Sequence, residues 1–144
     1  MKKVTKHWGH ELWINEGALT PYALKRILFK AGNRTSLQVH QSKIETNYVL
    51  SGTGKLLLSK DVFNIEDFLK TGMTAAEVLS YESTLQVYDL YEGISFDVLP
   101  GHVHRVIALT DLEFIEVSTT ELDDVIRLQD DKGRNHGRII SEHQ

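Results

Sequence analysis

The sequence predicts an all-β protein, a closed barrel or double-sheet jelly roll that carries a short helical insertion. Three observations point there. Short runs rich in β-branched, aromatic and leucine residues recur along most of the chain, each bounded by Gly, Asn, Asp or Pro, which is the pattern of strands and turns. The two prolines, Pro21 and Pro100, fall at the edges of such runs, where a missing N–H removes no ladder bond. The middle of the chain breaks this pattern, with helix formers in place of strand residues. Many short antiparallel strands with one buried face are most economically closed on themselves, which also removes exposed edges.

In chain order, residues 22–29, 35–40, 45–51 and 55–59 read as the first strands. Residues 64–69 and 74–80 read as two short helices, the second opened by Thr74-Ala75-Ala76-Glu77, which has the spacing of a capping box. Strands resume at 85–90 and 94–99, and again at 103–109 and 112–118 after the Pro100-Gly101 turn. Residues 121–128 read as a short helix, and the polar, glycine-containing stretch beyond Asp130 as an irregular, mobile tail.

At 144 residues the chain has the size of one domain. Hydrophobic residues at 41% and charged residues at 25% match soluble globular proteins and argue against disordered and membrane-spanning classes. The 16 basic and 20 acidic side chains are mixed along the chain, so no basic face for nucleic acid stands out. Cysteine is absent, which excludes disulfides, thiolate metal sites and cysteine nucleophiles together. No apolar run of signal-peptide length opens the chain, and a cytoplasmic location is the default expectation.

The chemistry concentrates in two segments. Gln38 and His40 are two apart and project from the same face of a strand, and Glu45 begins the next strand, where a hairpin returns its carboxylate beside His40. Some sixty residues later, after Pro100-Gly101-His102, His104 starts a strand that can run beside them. Two imidazoles, a carboxylate and an amide oxygen suit one divalent transition metal, zinc first, with manganese, iron, cobalt or nickel as alternatives. Calcium and magnesium prefer shells made of oxygen alone.

These segments resemble the paired signature motifs of the cupin superfamily, a glycine-bounded H-x-H-like box with a downstream Glu and then P-G-x-x-H. The Gln38-x-His40 variant, followed by Lys43 and Glu45, resembles the cupin domain of type II phosphomannose isomerases. Lys6-His-Trp8-Gly9-His-Glu11-Leu-Trp13 resembles their Trp-Gly opening. Glu116-Val-Ser-Thr, with Asp123-Asp124-Val-Ile-Arg127-Leu, resembles their closing strand. The likeness spans nearly the whole chain except about residues 60–92. It departs at Lys43, where such isomerases usually carry Arg, and at the helical insertion that replaces a short turn.

The resemblance implies aldose–ketose isomerisation of a sugar or sugar phosphate, with a metal polarising substrate oxygens while a base moves a proton between adjacent carbons. Glu45 and His102 are the candidate proton carriers. Lys25, Arg105 and Arg127 are the cations expected at the barrel mouth, Arg105 first among them as a phosphate clamp. Lys43 and Arg127 are further candidate substrate contacts. Trp8 and Trp13 are expected in the core rather than as sugar platforms. The same pocket would also serve a metal-dependent sugar epimerase or a non-catalytic sugar-binding or regulatory module. Homodimerisation is expected, and neither a nucleic acid nor a membrane partner is.

Overall fold

A computed structural model describes residues 1–129 and 137–138. Six strands form a first sheet: β1 (Lys2–Lys6), β2 (Gly9–Asn15), β3 (Ala23–Phe29), β5 (Glu45–Ser51), β8 (Ser95–Val98) and β10 (Leu112–Ser118). Six form a second: β4 (Leu37–Val39), β6 (Gly54–Leu58), β7 (Gln86–Leu90), β9 (His104–Ala108), β11 (Ile126–Gln129) and β12 (Gly137–Arg138). The order is β1-β2-β3-β10-β5-β8 in the first and β12-β11-β4-β9-β6-β7 in the second. All strand pairs are antiparallel. The chain crosses between the sheets repeatedly, as a jelly roll requires.

The period of two decides what faces inward. On β3, Ala23, Lys25, Ile27 and Phe29 are all buried while the residues between them are partly or fully exposed. Between the sheets one end is apolar. Trp8 stacks on Phe29 at 4.4 Å between ring centroids, and Phe114 meets Phe29 and Phe96 edge-on at 5.0 and 5.5 Å. Val49, Leu56, Leu90, Val106 and Leu112 complete this core. Each such side chain contributes about 1.5–3 kcal/mol by leaving water. The other end of the interior is polar and holds the residues described below.

Two helices follow β6, α1 (Ile65–Thr71) and α2 (Ala75–Glu82), and both expected helices are present. Asn64 caps α1, and the capping box on α2 forms as the sequence predicts, with Thr74 and Glu77 bonded reciprocally. The insertion lies on the outer face of the second sheet. Phe68 and Val78 pack with Leu37, Val39, Val103, Ile126 and Leu128 into a second core outside the barrel.

Two readings of the elements change. Residues 121–128 are a turn followed by β11, not a helix, because Ile126 and Leu128 are needed against α1 and α2 while Arg127 pairs with Gln38 of β4. The Ile126-Arg127-Leu128-Gln129 alternation spans only four residues, too few to identify a strand by itself. The hairpin β1-β2 adds a sheet edge at the start, where Lys2-Lys3-Val4-Thr5-Lys6 buries only Val4. Lysine-rich edge strands discourage further pairing, and that composition masks them. The tail expected beyond Asp130 lies outside the described residues except Gly137–Arg138, which pair with β11.

Candidate metal centre

His40, Glu45 and His104 converge at the polar end of the interior, each with a ligand atom within 4.8 Å of the others and each buried. Three elements place them. His40 follows β4, Glu45 is the first residue of β5, and His104 is the first of β9, beside Gln38 in register. The Pro100-Gly101 turn sets the entry to β9. Gly101 sits at φ +83, and its N–H donates to the His40 carbonyl at 2.8 Å, tying the second motif to the first.

The imidazoles are oriented from behind. Nδ1 of His40 lies 2.5 Å from the Asp124 carbonyl, and Nδ1 of His104 lies 3.1 Å from the His102 carbonyl. A carbonyl only accepts, so each Nδ1 carries the proton and each Nε2 presents a lone pair inward. Those Nε2 atoms stand 3.5 and 3.7 Å from Glu45 Oε1. A tetrahedral ion with bonds of about 2.1 Å separates its donors by about 3.4 Å, so this donor set fits such an ion. Hydrogen bonds that fix the tautomer from the far ring nitrogen are the usual support of a metal-binding histidine.

Electrostatics agree at His104. Burial, reinforced by the neighbouring His40, pushes His104 down to about 4, which leaves it neutral. Burial alone would raise Glu45, but the Lys43 ammonium and a hydrogen bond from Glu116 outweigh it and hold Glu45 well below the usual carboxylate range. Burial and the Glu45 charge push Glu116 well above its ordinary value, so it stands protonated beside Glu45. Lys43 lies between them, 3.8 Å from Glu45 and 3.6 Å from Glu116.

Gln38, the expected fourth ligand, reaches the same spot with its amide nitrogen, 3.5 Å from His104 Nε2, while Oε1 accepts from Ser36 Oγ at 3.0 Å. An amide flip, which exchanges two nearly isosteric atoms, turns the oxygen inward.

Across the cavity stands a second polar group. Lys25, 1% exposed, lies 3.4 Å from Glu11 and 4.3 Å from the centre of the Trp13 ring, and Trp13 Nε1 donates to Glu11 at 2.8 Å. Burial works against the Glu11 charge, yet Lys25, Lys6 and the indole N–H outweigh it and keep Glu11 below its ordinary value. Metal cluster, Lys43, Glu116 and the Glu11–Lys25 pair line one small cavity that opens to solvent. An adjoining chamber shares Trp8, Glu11, Thr35 and Gln38 and adds Lys6 and Arg127.

The expected cations divide. Lys25 and Lys43 line the cavity as buried residues rather than rim residues, and Arg127 lines the adjoining chamber. Arg105 does not reach the mouth. It follows His104 on β9, so alternation points it to the outer face, where it is fully buried. There Nε donates to the Thr35 carbonyl at 2.9 Å and Nη1 to Glu82 of α2 at 2.6 Å. His102 lies apart from the cluster. Its Nδ1 lies 2.9 Å from the Ser59 carbonyl, and its ring lines a separate groove at the barrel edge with Leu58, Tyr88 and Asp97. Neither residue lines the cavity.

Four residues of the site escaped the sequence reading: Glu11, Asn47, Glu116 and Asp124. Alternation signals the first three, because Glu11 shares a face with Trp13, Asn47 with Glu45, and Glu116 with Phe114. Asp124 carries no such signal. Its carboxylate accepts from the N–H groups of Gln41, Ser42 and Lys43, and these contacts across the fold fix the turn between His40 and Glu45.

Comparisons with known proteins agree with this architecture. A family model described as mannose-6-phosphate isomerase C-terminal matches residues 1–86. No curated protein sequence matches the chain. Among solved structures, the capsular polysaccharide assembling protein CapF from Staphylococcus aureus is similar at TM-score 0.63 and 16% identity, over 90% of this chain and 34% of that one. Oxalate decarboxylase from Lactobacillus farciminis gives 0.61 and 18%, over 89% and 33%. KdgF from Halomonas sp. gives 0.60 and 16%, over 86% and 92%. The chain thus spans about a third of the CapF and oxalate decarboxylase chains, and at these identities the likeness is one of fold. The fold is that of a cupin, and the chain belongs to the mannose-6-phosphate isomerase C-terminal family.

Proposed function

We propose that this protein is a metal-dependent isomerase that interconverts an aldose and a ketose, as the free sugar or as its phosphate. The observation that carries the reading is the pair of anchored imidazoles whose Nε2 atoms meet Glu45 in a cavity that also holds the Glu11–Lys25 pair. Two nitrogens and a carboxylate, with Gln38 Oε1 as a fourth donor, select a transition metal, zinc first, over calcium or magnesium. Such an ion supplies Lewis acidity to neighbouring carbonyl and hydroxyl oxygens.

The chain's own residues do the rest. Glu11, ionised and buried, takes over the proton-carrying role that the sequence assigned to His102 and moves the proton between adjacent carbons. Lys25 offsets the charge on Glu11, and Trp13 holds the carboxylate in place. Lys43 and Arg127 remain the cations that contact substrate, from the cavity and from the adjoining chamber. The buried barrel excludes water from the exchanging proton.

The test pairs elemental analysis with turnover, on the tag-free protein and on a His40→Ala, His104→Ala double variant. The expected result is about one equivalent of a transition metal and interconversion within a panel of aldoses and aldose phosphates, both lost in the variant. A folded, metal-free wild type refutes the metal centre. Metal with sugar binding but no turnover refutes the isomerase and leaves a sugar-binding module.

A further inference from the structure

Asn47 stands two residues after Glu45 on β5, so alternation turns both into the barrel. Its side chain is 3% exposed and lines the same cavity as the metal cluster. Among the described residues, no group hydrogen-bonds its amide. A buried amide that has left water without gaining a partner works against folding, and nearly all such groups in native proteins are paired. An amide kept in this state at a cavity wall is open to a bound molecule.

Its surroundings are apolar. Phe96 of β8 stands opposite Asn47 in the ladder, and Val98 and Phe114 line the same cavity. The cations Lys6 and Arg127 line the adjoining chamber, whose wall includes neither Asn47 nor Phe96. The interior therefore has a cationic end and a neutral end, and the neutral end carries one amide.

We propose that Asn47 binds a hydroxyl of the substrate and selects among sugars by the position of that hydroxyl, an assignment that rests on the cavity being a sugar site. An amide offers an acceptor oxygen and a donor nitrogen, and a hydroxyl both donates and accepts. A phosphate or carboxylate would bring a charge that this apolar wall does not offset. Two residues of strand set Asn47 about 7 Å along β5 from Glu45. A molecule whose reacting oxygens meet the metal cluster thus reaches Asn47 with a more distant part of its carbon chain. Asn47 determines specificity and moves no proton. A sugar without that hydroxyl would leave the amide unpaired, which is the condition under which a site discriminates most sharply.

Asn47→Leu removes the amide at nearly the same shape, and Asn47→Ala removes it without adding volume. Asn47→Leu is expected to melt at the wild-type temperature or above, because no protein hydrogen bond is lost. Binding is measured by calorimetry with D-mannose, D-glucose and D-fructose and with the monodeoxy derivatives of each. The wild type should bind one of these sugars about tenfold or more tightly than one of its monodeoxy derivatives, and both variants should bind that pair alike. Three outcomes overturn the assignment: a wild type that binds none of the sugars or treats all their hydroxyls alike, variants that keep the discrimination, and a marked loss of stability in both variants. Turnover is a separate readout. Discrimination through Asn47 without turnover removes the isomerase and leaves this assignment, whereas turnover with the discrimination kept in both variants does the reverse.

Discussion

On β9 two neighbouring residues serve opposite sides of one sheet. His104 points into the barrel, where its environment is a cluster of imidazoles, carboxylates and an ammonium. Arg105 points out, under α2, where two hydrogen bonds fix it among apolar side chains. Around His104 and Arg105 both faces of the second sheet are buried, but for different ends. The outer face buries Leu37, Val39, Ile126 and Leu128 against helices and supplies stability. The inner face at this level buries charges that resist desolvation, a cost that buried ion pairs seldom recover. Polar groups kept at such a cost mark a site rather than a support.

The largest expected effect falls on the inner face. His104→Ala should abolish metal binding, read by elemental analysis, while thermal unfolding shifts little, because neither apolar core includes it. A large loss of stability would show that the inner cluster also supports the fold.

The complementary change is Arg105→Met on the outer face. It leaves the Glu82 carboxylate and the Thr35 carbonyl without their shared donor and should destabilise by about 3 kcal/mol in denaturant unfolding. Metal content per folded molecule should stay as in the wild type. Loss of metal at full stability would erase the distinction between the faces.

Asp124 joins the two roles, and its effect is smaller. Asp124→Ala should cost about 2 kcal/mol through the lost hydrogen bonds from Gln41, Ser42 and Lys43, and should weaken metal binding by loosening the turn behind His40. Burial alone would raise the Asp124 carboxyl, but the N–H groups of Ser42, Lys43 and Gln41 hold it below its ordinary value. The folded state then binds fewer protons than the unfolded one, so this contribution is present above the unfolded value of about 3.9. It is lost as pH falls through the folded value. Asp124→Asn should flatten that acid limb in urea unfolding measured across pH.

Smallest is the cap of α2. Thr74→Ala should cost about 1 kcal/mol and leave metal binding unchanged, because the capping box touches only the outer layer.

Much of this was legible in the sequence. Strand alternation and turn residues disclosed the barrel, and the spacing from Gln38 to Glu45, with His104 after Pro100-Gly101, disclosed the metal cluster. What stayed hidden has a common cause. Arg105 and His102 lie close to His104 in sequence, but a strand sends the adjacent Arg105 to the opposite face, and the turn that carries His102 sets its ring in a separate groove at the barrel edge. Asp124 meets the site only through contacts across the fold, which no local pattern records. β11 reads as part of a helix because it is only four residues long, too short for the alternation of Ile126, Arg127, Leu128 and Gln129 to stand out from the residues before it.

The insertion that carries α1 and α2 leaves the barrel at the end of β6 and re-enters at the start of β7, where Leu58 and Gln86 are partners in the ladder. Its two ends therefore sit side by side, and every residue of the metal cluster lies outside it. Topologically it is a handle that could be cut. A chain in which a short turn replaces residues 60–84 would keep each strand neighbour and each ligand in place, and would uncover the apolar outer face that the helices roof.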